Sequence, residues 1–131
     1  MPSTVIEICR EYNEAEEVAL IDAVQQSLIT AFRIPPRDRH IRLLVHRPHR
    51  MQLPPDLADP SRYTIVTIDC FAGRSVDAKR ELYRQIVARL EPLGVPADHI
   101  SIVVRDLPQE NWGIRGGHAA CDIDLGFTVT V

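Results

Sequence analysis

The sequence predicts an α+β fold in which two β-α-β units form a four-stranded mixed sheet with both helices on one face. Apolar, β-branched stretches alternate with helical stripes in the order strand, helix, strand, and this order occurs twice. The sequence VIEIC at Val5–Cys9 also resembles VTIDC at Val66–Cys70, which indicates an internal duplication with a period of about sixty residues. Because each β-α-β unit has parallel strands and a right-handed crossover, two units complete one sheet.

The first unit is predicted to contain a strand at residues 3–9, a helix and a second strand at residues 40–46. Asn13 is a favourable helix N-cap, and Glu16 three residues later is typical of a capping box. The Pro35-Pro36 pair ends the helix. Before that pair, apolar residues recur at helical spacing; they are Val18, Ile21, Val24, Leu28 and Phe32.

The second unit follows a proline-rich connection at residues 46–62. Residues 63–70 are predicted to be a strand, Ser75 to cap a helix, and residues 99–104 to be a strand. The apolar stripe of this helix consists of Leu82, Ile86, Val87 and Leu90. Residues 1–131 are predicted to be a single domain with internal halves at about 1–60 and 61–131.

The last segment, residues 121–131, alternates strictly between apolar and small or polar residues, which predicts an amphipathic strand. Left at a sheet edge, such a strand invites aggregation, so we expect it to pair with a neighbouring subunit. The predicted sheet also has one face without helices. Both features predict a homo-oligomer.

Composition limits the classes of partner and the cellular compartment. The chain has 131 residues, with 18 acidic and 15 basic residues and a net charge of -3, so no overall charge attracts it to nucleic acid or an anionic membrane. Its three cysteines are widely spaced and form no C-x-x-C motif, which favours a reducing, cytoplasmic setting over a disulfide framework or zinc ribbon. The sequence shows neither a secretion signal nor a membrane-spanning run.

Pro2 directly follows the initiator methionine and opens the first predicted strand. Removal of Met1 leaves Pro2 as a free secondary amine, and burial in an apolar pocket lowers the pKa of such an amine towards neutrality. A neutral amine in this position is suited to general acid and base catalysis. The alternative interpretation is that proline is simply tolerated at the first position of a strand.

An ordered set of residues along the chain matches a known family; it consists of Pro2, Pro35-x-x-Asp38-Arg39, His46-Arg47-Pro48, Gly73-Arg74-Ser75 and Glu110-Asn111-Trp112-Gly113. With this set the chain resembles the tautomerase superfamily, most closely its longer trimeric members, which include malonate semialdehyde decarboxylases. The resemblance covers residues 2–117. It implies a trimer with a barrel-like core of sheets, a catalytic amino-terminal proline, and keto-enol tautomerase chemistry or a relative of it such as decarboxylation, hydration or dehalogenation. We expect a small anionic oxo acid as the substrate and no cofactor.

The resemblance also implies roles for particular residues. Arg74 binds the substrate carboxylate or carbonyl oxygen, and Asp38 activates a water or polarises the substrate beside Pro2. His40 is a candidate donor to a substrate oxygen. Trp112 and Ile114 are candidates for the apolar wall of the pocket. The chain departs from the decarboxylases, which have two arginines at the turn that contains Arg74, a tyrosine at position 40 and a phenylalanine at position 114.

Each of these residues also has a structural interpretation. Arg74 is then a solvated turn residue, Asp38 bonds local backbone N–H groups, and Trp112 buries area in the core. The basic segment at residues 37–50 contains three histidines, but His40 and His46 on one strand lie too far apart to share a metal ion. This segment also lacks the aromatic residues with which nucleic-acid binders stack bases.

Together with these residues, the resemblance implies a keto-enol tautomerase acting on a small 2-oxo acid. Two alternatives stay open. One is a decarboxylase or hydratase of a small 3-oxo or unsaturated acid. The other is an oligomeric binding protein that has kept the fold without the activity.

Overall fold

The computed structural model describes residues 2–129 and 131 and contains both predicted β-α-β units. The elements of these units are β1 (Ser3–Ile8), α1 (Glu14–Phe32), β2 (Ile41–Val45), β3 (Thr64–Phe71), α2 (Val76–Leu90) and β4 (Ile100–Leu107). The sheet order is β2-β1-β3-β4. Strands β1 and β2 are parallel, as are β3 and β4, while β1 and β3 are antiparallel. The predicted fold class is confirmed.

Both helices begin at the predicted caps. The side chain of Asn13 accepts a hydrogen bond from the Glu16 N–H at 2.8 Å, and the Glu16 carboxylate accepts one from the Asn13 N–H at 3.0 Å, which completes a capping box. Ser75 caps α2 by accepting a hydrogen bond from the Ala78 N–H at 3.1 Å. Within residues 2–129 and 131, no helix is long and apolar enough to cross a membrane.

The main core lies between the helices and one face of the sheet. Residues of α1, α2, β1 and β3 form it, and the largest of its fully buried side chains are Ile6, Ile8, Leu20, Leu28, Ile68, Leu82, Ile86 and Leu90. The apolar stripe of α1 differs from the prediction at Val18, which is 52% exposed. The buried positions Leu20, Val24 and Leu28 are spaced by four residues, and Val18 lies two residues before Leu20 on the other side of the helix.

Neither α1 nor α2 packs on the opposite face of the sheet. Glu7 on β1 pairs there with His46 at 3.0 Å, and Asp69 on β3 pairs with Arg105 at 2.6 Å. Apolar side chains lie among these charges, and Leu44 and Val103 are 47% and 46% exposed. This face therefore combines ion pairs with exposed aliphatic groups.

The strand predicted at residues 121–131 is wrong for the residues that the structure describes; Thr130 lies outside them. A short 3₁₀ turn at Ala120–Asp122 leads into irregular backbone. Gly126 then has φ +77°, and its N–H donates to the Asp124 carboxylate at 2.8 Å, which turns the chain and ends any extended run. Four apolar residues of the segment instead pack beside Phe71 and Ala120, namely Ile123, Leu125, Phe127 and Val129, while Val131 packs on the main core.

A short hairpin that the sequence analysis did not predict precedes this segment. It pairs β5 (Gly113–Ile114) with β6 (His118–Ala119) in antiparallel orientation. Gly116 and Gly117 form its turn with φ values of +89° and +91°. Such values favour glycine, so the Gly-Gly pair was the available signal for this turn.

Candidate functional site

Three residues singled out in the sequence lie at one end of the sheet, where β1 begins and β3 ends. Pro2 is buried directly before β1, while Met1 lies outside the described residues. Because β1 is antiparallel to β3 and parallel to β2, its start lies beside the end of β3 and beside the loop that precedes β2. Arg74 follows β3, and Asp38 precedes β2. The topology therefore brings Arg74 and Asp38 to the end of the sheet that Pro2 occupies.

The turn between β3 and α2 fixes the backbone of Arg74. Gly73 has φ +126°, a conformation that favours glycine, and a Cβ atom there would contact the Val129 side chain at 3.4 Å. Ser75 then caps α2. Arg74 is thus held between a glycine turn and a helix start, where the oriented backbone N–H groups favour anions.

The side chain of Arg74 is buried, with a relative exposure of 8%. Its Nη1 donates to the Phe71 carbonyl at 3.2 Å, and its guanidinium lies over the Phe32 ring, 4.5 Å from the centroid. Its Nε makes no hydrogen bond to any residue among those the structure describes. Burial lowers the pKa of Arg74 from its usual value. A buried cation with an unused donor is suited to binding an anionic ligand.

Acidic and thiol groups surround this cation. The Cys70 thiol and the charges of Asp106 and Asp38 all favour the protonated form of Arg74 and oppose the effect of burial on its pKa. Burial raises the pKa of the Cys70 thiol, which donates to Asp106 at 3.7 Å. Lys79 donates to the other oxygen of Asp106 at 2.6 Å, and this hydrogen bond raises the pKa of Lys79. Arg74 thus lies within the field of two carboxylates.

The loop before β2 presents Asp38 and His40 close to each other. The Asp38 side chain is 16% exposed and the His40 side chain is 43% exposed, with 3.7 Å between Nε2 of His40 and Oδ1 of Asp38. The Asp38 N–H donates to the Pro35 carbonyl at 2.9 Å, and the His40 carbonyl accepts from the Thr4 N–H at 2.9 Å. The second of these bonds joins the loop to β1, two residues after Pro2.

Trp112 and Ile114 lie on the other side of the same strand end. The Trp112 ring packs edge-on against the Phe71 ring, with centroids 5.2 Å apart and planes at 74°. Because side chains alternate along β3, Phe71 faces away from the helices, whereas Cys70 faces the main core. Phe71 therefore contacts Arg74 through its carbonyl and Trp112 through its ring. That Trp112 and Ile114 form a pocket wall stays a prediction.

The basic segment at residues 37–50 does not gather its histidines. His46 pairs with Glu7, and His40 lies beside Asp38. Among the described residues, no group of three or more histidine, cysteine or carboxylate side chains is placed to hold a metal ion.

Sequence reasoning missed three features of this site. Phe32 was assigned only to the apolar stripe of α1, yet its ring also contacts Arg74. The Lys79–Asp106 pair joins two elements and has no local motif. Gln25 is 95% buried and donates to the Asp38 carbonyl. A glutamine beside Val24 within the buried stripe of α1 was the available signal for this residue.

Comparison with known proteins defines the family. A family model described as tautomerase enzyme matches residues 38–115, which is more than half of the chain. The 2-hydroxymuconate tautomerase of Comamonas testosteroni is 36% identical over 45 residues, covering 34% of this chain and 71% of that enzyme. The chain belongs to the tautomerase family, whose members are enzymes. The resemblance inferred from the sequence is confirmed.

Two solved structures extend the comparison over most of the chain. A malonate semialdehyde decarboxylase, solved as inhibited by 3-bromopropiolate, superimposes with a TM-score of 0.79 and 26% identity, covering 89% of this chain and 92% of that one. A fused 4-OT, solved as a wild-type asymmetric trimer, gives a TM-score of 0.81 at 17% identity, covering 92% and 97% of the two chains. The second likeness concerns the fold alone.

Proposed function

We propose that this protein is a cofactor-independent keto-enol tautomerase that acts on a small 2-oxo acid, with the amine of Pro2 as general acid and base. The observation that carries the proposal is the buried Arg74, whose Nε is unused, at the end of the sheet where Pro2 begins β1. Burying a guanidinium lowers the stability of the fold unless the charge is paired, and an anionic substrate would supply the missing partner. A carboxylate is a suitable partner because its oxygens accept charge-assisted hydrogen bonds from a guanidinium.

In this mechanism Arg74 binds the substrate carboxylate, and Pro2 transfers a proton at the carbon next to the carbonyl. During ketonisation the neutral amine takes the enol hydroxyl proton, which breaks the O–H bond, and then gives that proton to the carbon, where a C–H bond forms and the amine becomes neutral again. Asp38 polarises the oxygen directly or through a water, and His40 is a second candidate for this role. The cation of Arg74 also stabilises the charge that develops on the enol oxygen.

Trp112 and Ile114 are proposed to exclude water from the pocket. Burial of Pro2 disfavours the charged amine, and an apolar wall increases this effect. Trp112 Nε1 is buried and makes no hydrogen bond to the part of the chain that the structure describes, so it is available to a substrate oxygen.

The test is ketonisation of the enol of phenylpyruvate, followed by ultraviolet absorbance with protein whose intact mass shows that Met1 is absent. Pro2→Ala and Arg74→Gln are each expected to lower kcat/KM by at least about 100-fold. The matched controls are Pro92→Ala and Arg84→Gln, which change exposed residues of the same types. Equal rates for wild type and Pro2→Ala would remove the tautomerase proposal, and the absence of any turnover would favour a decarboxylase, a hydratase or a binding protein.

The second candidate is a decarboxylase or hydratase of a small 3-oxo or unsaturated acid. The observation that favours it is the 26% identity to a malonate semialdehyde decarboxylase over most of both chains. In this reaction Asp38 directs a water, and Arg74 holds the carboxylate. Carbon dioxide release from malonate semialdehyde, measured beside the tautomerase assay, separates the two candidates. The reaction that is faster and that slows in Pro2→Ala is assigned as the activity of the protein.

We also propose that the protein is a cytoplasmic homotrimer. The sheet face without helices, where Leu44 and Val103 are exposed, supports a covering subunit, as does the trimer formed by a fused 4-OT. Light scattering after size-exclusion chromatography tests the assembly. A mass of three chains is expected, and a mass of one chain at micromolar concentration would refute it.

A further inference from the structure

Gln25 is a buried polar residue in the apolar stripe of α1. Its relative exposure is 5%, and Val24 and Leu28 beside it belong to the main core. Its Nε2 donates to the Asp38 carbonyl at 2.9 Å, across 13 residues of sequence. Burying an amide is costly unless it makes hydrogen bonds, so this contact is the reason that a glutamine is tolerated here.

The bond joins α1 to the loop that carries Asp38. The loop is also tied to β1 where the Thr4 N–H donates to the His40 carbonyl at 2.9 Å. A cleft between α1 and β2, lined by Ile21, Asp22, Gln25, Arg39 and Ile41, lies directly beside the Gln25 contact. A loop released from Gln25 therefore has space into which its backbone can shift.

We propose that Gln25 is a positioning residue that holds the Asp38 carboxylate at the catalytic end of the sheet by fixing the Asp38 backbone. The proposal deepens the proposed function and rests on it for the role of Asp38. Gln25 itself does not touch the substrate. Its effect is therefore on the rate of proton transfer, whereas carboxylate binding by Arg74 depends on a different loop.

Two substitutions of Gln25 by side chains of similar shape distinguish a role in positioning Asp38 from a role in packing the core. Gln25→Met keeps the volume and removes the donor at every pH. Gln25→Glu replaces the donor by a carboxylate that repels the Asp38 carbonyl at high pH, but when protonated its O–H donates to that carbonyl and restores the bond. Gln26 is the neighbouring residue of the same type and is exposed, so Gln26→Met and Gln26→Glu are the matched controls.

Activity is measured from pH 6 to pH 9 with the enol of phenylpyruvate. Gln25→Met is expected to lower kcat by about 10-fold at every pH, with KM unchanged, because misplacing a catalytic group slows chemistry more than binding. Because burial at position 25 raises the pKa of a carboxyl well above its ordinary value, Gln25→Glu is expected to match this loss at pH 9 and to recover part of the wild-type rate at pH 6. Circular dichroism at pH 9 is expected to show Gln25→Glu folded, and a loss of rate explained by unfolding at that pH would contradict a positioning role.

Limited trypsin digestion tests the loop without any assay of activity. Arg37 and Arg39 flank Asp38 and are both exposed. Fragments ending at these residues, identified by mass, are expected to appear at least about 10-fold faster in Gln25→Met than in Gln26→Met. If Gln25→Met resists cleavage and keeps the wild-type kcat, the positioning proposal is overturned. If the wild type lacks tautomerase activity but trypsin still cleaves Gln25→Met faster than Gln26→Met at the loop, the proposed function fails while Gln25 is shown to hold the loop.

Discussion

Replacing Arg74 by methionine is expected to abolish activity and to make the fold more stable. The two side chains have similar length, so methionine fills the space over Phe32. Arg74 is buried with one hydrogen bond from Nη1 and none from Nε to the residues that the structure describes. The folded protein therefore bears the cost of a desolvated charge, which the apolar substitution removes.

The size of the effect follows from the contacts of Arg74. The substitution loses the hydrogen bond to the Phe71 carbonyl, about 2 kcal/mol for a charged donor, and the contact with Phe32, about 1 kcal/mol. Asp38 and Asp106 retain contact with solvent, so losing the cation costs them about 1 kcal/mol. Against these losses, removing the buried charge gains about 4 kcal/mol and removing the unused donor about 1 kcal/mol. The net effect is a gain of about 1 kcal/mol.

Urea unfolding of wild type, Arg74→Met and the control Arg84→Met measures this difference. Arg84 pairs with Glu81 on the exposed side of α2, so its substitution is expected to change the free energy of unfolding by less than about 0.5 kcal/mol. A loss of stability of more than about 1 kcal/mol in Arg74→Met would show that the arginine is a structural anchor. The reasoning that its burial serves a ligand would then be refuted.

Three further predictions concern stability. Asn13→Ala removes the capping box of α1 and is expected to cost about 1 kcal/mol in urea unfolding, whereas an unchanged midpoint would show that the cap contributes nothing. His99 is fully buried, and its Nε2 accepts a hydrogen bond from the Asp59 N–H at 3.1 Å. His99→Phe leaves this N–H unpaired and is expected to lower the free energy of unfolding by about 2 kcal/mol. An unchanged free energy of unfolding would contradict a stabilising role for this hydrogen bond. The pKa of Cys70 is raised in the folded state, whereas in the unfolded state the thiol has its ordinary pKa of 9.0. Above that pH the unfolded state releases the thiol proton and the folded state keeps it, so stability falls as pH rises. Cys70→Ala is expected to reduce this decline between pH 8 and pH 10, and identical slopes would contradict it.

Local signals were sufficient to predict most of the fold. The Asn13 cap with Glu16 and the Ser75 cap were predicted from short-range patterns, and both form as expected. The matching strands VIEIC and VTIDC predicted two related units, and β1 and β3 indeed pair at the centre of the sheet. Because caps and periodicity act over a few residues, the sequence alone is enough to locate them.

The features that were predicted wrongly or missed depend on contacts between residues far apart in the sequence. The alternation at residues 121–131 has the period of a strand, but Gly126 and Asp124 form a turn, and side chains such as Leu125 and Phe127 pack beside Phe71 of the same chain. Within the site, Gln25 meets Asp38 only after α1 packs beside the loop. No sequence motif encodes a hydrogen bond between such distant residues, so the structure was needed to find it.

The most direct test of the central claim is to locate where 3-bromopropiolate, a small electrophilic carboxylate, modifies the protein. A related malonate semialdehyde decarboxylase is inhibited by this compound. Peptide mapping by mass spectrometry after treatment is expected to place one adduct on the peptide that begins with Pro2, and Arg74→Met is expected to prevent it. An adduct confined to the exposed Cys121, or one that forms equally in Arg74→Met, would contradict a carboxylate site built from Arg74 and the Pro2 amine.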